Sequence, residues 1–85
     1  MKENQIVNPV IKARMGKEWS IQISKKPFVE GRGSSMPALG YPCGACGLKE
    51  TKLRFAKSSE EVESSLEWME LQCKRCSSFT LYTKK

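Results

Sequence analysis

The sequence predicts a small all-β protein: a three-stranded antiparallel sheet around a four-cysteine metal site, preceded by an N-terminal β-hairpin and a Gly/Pro-rich loop. Three observations predict it. Two CxxC pairs, Cys43-Gly44-Ala45-Cys46 and Cys73-Lys74-Arg75-Cys76, are separated by 26 residues. The segments around them alternate apolar and polar residues with the period of two that a half-buried strand requires. The chain is also short, with 85 residues of which 39% are hydrophobic and only a few aromatic. At that size a metal, a disulfide or a partner commonly completes the fold.

Residues 1–42 form a basic N-terminal segment with seven Lys or Arg, three Glu and all four prolines. Within it, VIKAR (10–14) and EWSIQIS (18–24) have extended character. Trp19, Ile21 and Ile23 share one face of the second segment, and Glu18, Ser20, Gln22 and Ser24 the other. Met15-Gly16-Lys17 is the expected hairpin turn. An isolated hairpin is marginal in water, so this one needs the second half of the chain, or a partner, to pack against. Residues 25–42 (KKPFVEGRGSSMPALGYP) contain three glycines and three prolines and read as a loop or linker. Gly31-Arg32-Gly33 within them is too short for a phosphate loop and reads as a turn.

Residues 43–85 carry the rest of the sheet. Leu53 and Phe55 alternate with Lys52, Arg54 and Ala56; Phe79 and Leu81 alternate with Ser78, Thr80 and Tyr82. Between these, SSEEVESS (58–65) is a loop and LEWMELQ (66–72) a strand. In that strand the alternation breaks, with Leu66 and Trp68 on one face and Met69 and Leu71 on the other. Such a pattern fits a bulge or a central strand covered on both faces. We expect the covered strand, with the N-terminal hairpin as its cover and Trp19, Phe55, Trp68 and Phe79 in the core.

The cysteines define the chemistry. Each CxxC makes a tight turn that aims two sulfurs at one point, and two turns supply the four tetrahedral ligands that zinc prefers. Gly44 and Gly47 suit the first turn, and Lys74 and Arg75 offset part of the negative charge of a tetrathiolate centre. Two disulfides and an iron site of the rubredoxin kind are the alternatives. The N-terminus (MKENQIVNPV) is polar and no stretch approaches a membrane span, so the expected location is cytoplasmic (nuclear in a eukaryote), not secreted. Disulfides are rare in reducing compartments. Four thiolates leave no open coordination position, so one structural Zn2+ at Cys43, Cys46, Cys73 and Cys76 is expected. The chain has no histidine, which removes Ser-His, Cys-His and HExxH arrangements together. No enzyme activity is expected.

The order CxxC, strand, loop, strand, CxxC, strand over residues 43–83 resembles the zinc-ribbon superfamily. That resemblance implies the fold; zinc ribbons serve transcription factors, RNA polymerase subunits, ribosomal proteins, primases and docking modules alike. Lys57-Ser58-Ser59-Glu60-Glu61 further resembles the hairpin tip of TFIIS-type transcript-cleavage factor ribbons, and Phe79 falls near an aromatic of that family. The family carries Asp-Glu where this chain has Glu-Glu. By that resemblance Glu60 and Glu61 would enter a polymerase active site and help hold a second magnesium, with Lys57 as their basic neighbour.

Fifteen Lys and Arg against nine Glu, with no Asp, give a formal charge of +6. Such a balance suits a polyanionic partner, nucleic acid above all, or serves solubility alone. Candidate nucleic-acid contacts are Lys74, Arg75, Tyr82, Lys84 and Lys85, joined by Arg14, Lys25, Lys26 and Arg32. The lysines and arginines would track phosphates, and the tyrosine would stack on bases. Residues 58–72 hold five Glu and no Lys or Arg, which predicts an acidic edge opposite the basic one. Two function classes follow. One is a monomeric, transcription-related zinc-ribbon protein that binds DNA or RNA. The other is a ribbon that docks on a larger machine such as RNA polymerase through Glu60-Glu61. Neither involves a membrane.

Overall fold

The computed structural model describes residues 7–34, 36–37, 40–58 and 66–85. One helix, α1 (Pro9–Met15), is followed by β1 (Trp19–Ser24), β2 (Met36–Pro37), β3 (Thr51–Ser58), β4 (Leu66–Cys73) and β5 (Phe79–Lys84). All strand pairs are antiparallel, in the order β1-β5-β4-β3-β2. Four full strands thus make the sheet, and the two-residue β2 caps its edge.

Two expectations are corrected. The sheet is not three-stranded, because β1 pairs with β5 from Trp19↔Lys84 to Ser24↔Phe79. The hairpin is absent, because residues 9–15 form a helix. Asn8 caps it by accepting from the Val10 amide at 2.9 Å, Pro9 enters the first turn, and Gly16 closes it with a bond to the Lys12 carbonyl. Proline fits there because its missing N–H would have no intrahelical acceptor. The β-branched Val10 and Ile11 suggested a strand, but the cap and the helical spacing of Ile11 and Met15 prevail.

β4 is central and covered on both faces, and it also carries the alternative bulge: pairing passes from Lys57↔Trp68 to Ser58↔Leu66, so Glu67 is an extra residue. On one face Met69 and Leu71 join Tyr82 and Trp19 in the main core, with Met15, Ile21, Tyr41, Leu53 and Leu66 packed around them. Trp19 meets the Tyr82 and Tyr41 rings edge-on, at 6.0 and 6.3 Å between centroids. The cover on this side is α1 and the segment entering the first CxxC turn.

The other face is built on charge. Glu70 is fully buried and pairs with Arg54 at 3.0 Å. Arg54 lies 5.1 Å from the Phe55 and Phe79 ring centroids and donates to the carbonyls of Val29 and Gly31. Glu70 accepts from the amides of Phe28, at 2.7 Å, and Val29. The Gly/Pro-rich loop is thereby fastened across the back of the sheet. The register reveals how Arg54 gets there: pairing passes from Leu53↔Leu71 to Phe55↔Glu70, so Arg54 is the extra residue of a bulge. Trp19 and Phe79 are buried, as expected; Phe55 and Trp68 are half-buried. No helix among the described residues is long and apolar enough to cross a membrane.

Candidate metal centre

Four sulfurs meet at one end of the sheet. Cys43 and Cys46 come from the turn before β3; Cys73 ends β4, and Cys76 lies in the β4–β5 turn. The Sγ atoms all lie within 4.8 Å of one another, with Cys43–Cys76 at 3.7 Å and Cys46–Cys73 at 3.5 Å. Sulfurs held about 2.3 Å from a shared tetrahedral ion stand about 3.8 Å apart, so the donor set fits one metal ion. No pair is at bonding distance, and all four thiols are free.

The two turns repeat one another, bond for bond. In the first, the Cys43 amide donates to the Leu48 carbonyl at 2.8 Å and the Gly47 amide to the Cys43 carbonyl at 2.9 Å. In the second, Cys73 donates to Ser78 at 3.0 Å and Ser77 to Cys73 at 3.2 Å. Ala45 and Cys46 amides point at Cys43 Sγ, at 3.3 and 3.5 Å. Arg75 and Cys76 amides point at Cys73 Sγ, at 3.3 and 3.4 Å. Amides aimed at sulfur favour thiolate. The residue after each pair takes a left-handed backbone, Gly47 at φ 80° and Ser77 at φ 65°. Glycine was anticipated at the first position; a serine bearing that strain at the second was not.

The fold fixes the first turn from several sides. The Tyr82 hydroxyl donates to the Pro42 carbonyl at 2.7 Å, and the Thr51 hydroxyl to that of Tyr41 at 2.8 Å. Thr80 Oγ1 accepts from the Gly44 amide at 3.0 Å. A side chain on Gly44 would meet Thr80 Cγ2 at 3.0 Å and Ile21 Cγ2 at 3.2 Å, so glycine fits there where a Cβ would crowd its neighbours. The Asn8 amide donates to the Gly44 carbonyl at 2.7 Å, which ties α1 to the turn.

Burial sets most of the thiol acidities. It pushes Cys43 up, and Cys46 up to about 12. Burial also acts upward on Cys76, but hydrogen bonds from Ser78 and the thiols of Cys73 and Cys43 bring it down to about 7. Cys43 and Cys73 are buried; Cys46 and Cys76 lie at the surface.

The predicted nucleic-acid contacts do not form one patch. Lys74 and Arg75 are exposed on the second cysteine turn, and Arg75 pairs with Glu50 at 3.2 Å. Lys84 and Lys85 lie at the opposite end of β5, five residues or about 17 Å from Phe79. Arg14, Lys25, Lys26 and Arg32 are exposed on α1 and the loop. Tyr82 is corrected: it is 0% exposed, so its ring cannot stack on a base, and burial holds its hydroxyl well above the ordinary tyrosine range. The acidic edge is corrected at Glu70, which lies inside, while Glu67 is exposed and 3.9 Å from Lys57. Glu60 and Glu61 lie outside the described residues. Sequence reasoning missed Arg54 and Glu70; each stands between apolar neighbours in a strand, which was the available signal.

No family model matches this chain, and no curated protein or solved structure does.

Proposed function

We propose that the chain is a zinc-ribbon protein that holds one structural zinc at Cys43, Cys46, Cys73 and Cys76 and binds nucleic acid through exposed lysines and arginines. The zinc would supply a cross-link between the first cysteine turn, with α1 resting on it, and the β4–β5 turn. An all-sulfur tetrahedral set of this kind suits zinc or iron, and a closed shell gives the metal a structural role.

One observation carries the nucleic-acid reading. Among the described residues, ion pairs engage only Arg54, Lys57 and Arg75, and the partner of Arg54 is buried. Lys12, Arg14, Lys17, Lys25, Lys26, Arg32, Lys74, Lys84 and Lys85 are exposed with no carboxylate partner among those residues. Among the described residues these nine exposed cations outnumber the exposed, unpaired acids Glu18 and Glu30, and such an excess attracts phosphate backbones.

Titration with generic single- and double-stranded oligonucleotides at several salt concentrations tests this. Neutralising four to six phosphates predicts a log–log slope of about −3 to −5. An affinity absent at low salt, or indifferent to salt, overturns it.

A further inference from the structure

A cleft runs between α1 and β1, at the side of the sheet away from β2. Val7, Lys12, Gly16, Lys17, Trp19, Ser20, Ile21 and Lys85 line it, around a volume of about 530 Å3 that opens to solvent. Ligand pockets range over about 300–1,000 Å3. Three of the lining residues are lysines and none is acidic. They come from three separate parts of the chain: Lys12 from the helix, Lys17 from the turn after it, and Lys85 from beyond β5. The fold itself gathers them, because the Lys85 amide donates to the Glu18 carbonyl at 3.0 Å and so holds the C-terminal strand against the start of β1.

We infer that this cleft, and not the cysteine turn, is where the chain grips the phosphate backbone of a nucleic acid. The inference rests on the nucleic-acid reading above and assigns its site. Lysine ammonium groups are compact point charges on flexible stems, which suit phosphates rather than the bidentate reading of base edges. The apolar wall of Val7, Trp19 and Ile21 strengthens the field of the three charges by excluding water on one side. Trp19 offers no stacking platform. Its ring is buried, it meets Tyr41 and Tyr82 edge-on, and Lys84 Nζ stands 5.1 Å from its centroid. Contacts to phosphate without base stacking or base hydrogen bonds predict binding with little sequence preference. At the cysteine turn, by contrast, Arg75 already has Glu50 as a partner.

The test compares wild-type protein with two variants of the metal-loaded full chain, using a twelve-nucleotide oligothymidine as probe. One variant carries Lys12→Gln, Lys17→Gln and Lys85→Gln; the other carries Lys74→Gln and Arg75→Gln. Each lost phosphate contact flattens the salt slope by about 0.9 for duplexes and about 0.7 for single strands. The cleft variant should flatten it by about two units and the turn variant should leave it near wild type. Metal content and thermal midpoint, measured on both, separate lost contacts from lost folding. In amide-proton NMR spectra the probe should shift the Trp19 indole signal and leave that of Trp68 in place. Wild-type binding that the turn variant weakens more than the cleft variant overturns the assignment, and so does an unmoved Trp19 signal. Wild-type protein that binds no probe at low salt overturns the nucleic-acid reading itself.

Discussion

Ser77 and Gly47 occupy the same place in two copies of one turn, yet only one of them is glycine. A residue with a side chain in the left-handed region costs about 1–2 kcal/mol relative to the right-handed one, and Ser77 sits there at φ 65°. Ser77→Gly should therefore raise stability by about 0.5–1 kcal/mol, after glycine's greater unfolded-state entropy is set against the relief. Gly47→Ala should lower it by about 1 kcal/mol, mainly through backbone strain, since a Cβ there makes only an ordinary 3.5 Å contact with Asn8. Chemical denaturation at fixed free zinc reads both, and the two substitutions should have opposite signs. The second residue-scale expectation concerns Arg54. Arg54→Met leaves Glu70 buried and unpaired, and breaking such a pair by removing one partner costs about 3–5 kcal/mol. The same denaturation experiment checks it; a loss under about 1 kcal/mol would mean that Glu70 reaches water without its partner.

Helix α1 depends on Asn8 at two levels. Its side chain caps the first turn, and its backbone amide holds the Gly44 carbonyl of the cysteine turn. Asn8→Ala removes only the cap and should cost about 1 kcal/mol, seen as a lower midpoint with unchanged metal content. The sequence showed strands better than it showed this helix. β3 and β5 were legible because each alternates beside a cysteine turn, and β4 because its apolar Leu66, Trp68, Met69 and Leu71 lead into the second turn. The break in the alternation of β4 has a local source as well as a central place: pairing passes from Lys57↔Trp68 to Ser58↔Leu66, so Glu67 bulges and Leu66 packs with Met69 and Leu71. Residues 10–14 misled because Val10 and Ile11 favour strands locally, a preference that masked the Asn-Pro start and glycine stop marking a helix of about two turns. The gathering of the four cysteines was legible from spacing alone. The Arg54–Glu70 clip was not, because it needs a bulge that shifts the register by one residue, and periodicity carries no register. Tyr82 was misplaced for a related reason: its strand alternates Phe79 and Leu81 against it, but both faces of this sheet are covered.

At the scale of the whole molecule, a hydrophobic core covers one face of the sheet, a fastened loop the other, and the four-cysteine cluster closes one end. Burial around Trp19, Met69, Leu71 and Tyr82 organises one face and the fastened loop the other. An ion held by the four sulfurs would join the segments that carry α1 and the β4–β5 turn. Structural zinc contributes about 10–16 kcal/mol in finger-like peptides at neutral pH, as much as or more than a typical domain's net stability. Chelation, or Cys73→Ser, should accordingly unfold residues 43–83, with loss of dispersed amide signals. Metal affinity should also rise with pH. The thiols of Cys43 and Cys46 are shifted above the ordinary cysteine range; zinc must displace their protons, and acid opposes it. Proton release on metal uptake, followed by calorimetry in buffers of different ionisation heat, measures this. The central claim is that four cysteines hold one zinc ion, and elemental analysis of native protein purified without added metal tests it most directly. The account predicts one equivalent of zinc per chain, lost together with the fold when a chelator is added; less than half an equivalent of zinc, or an equivalent of iron in its place, would contradict it.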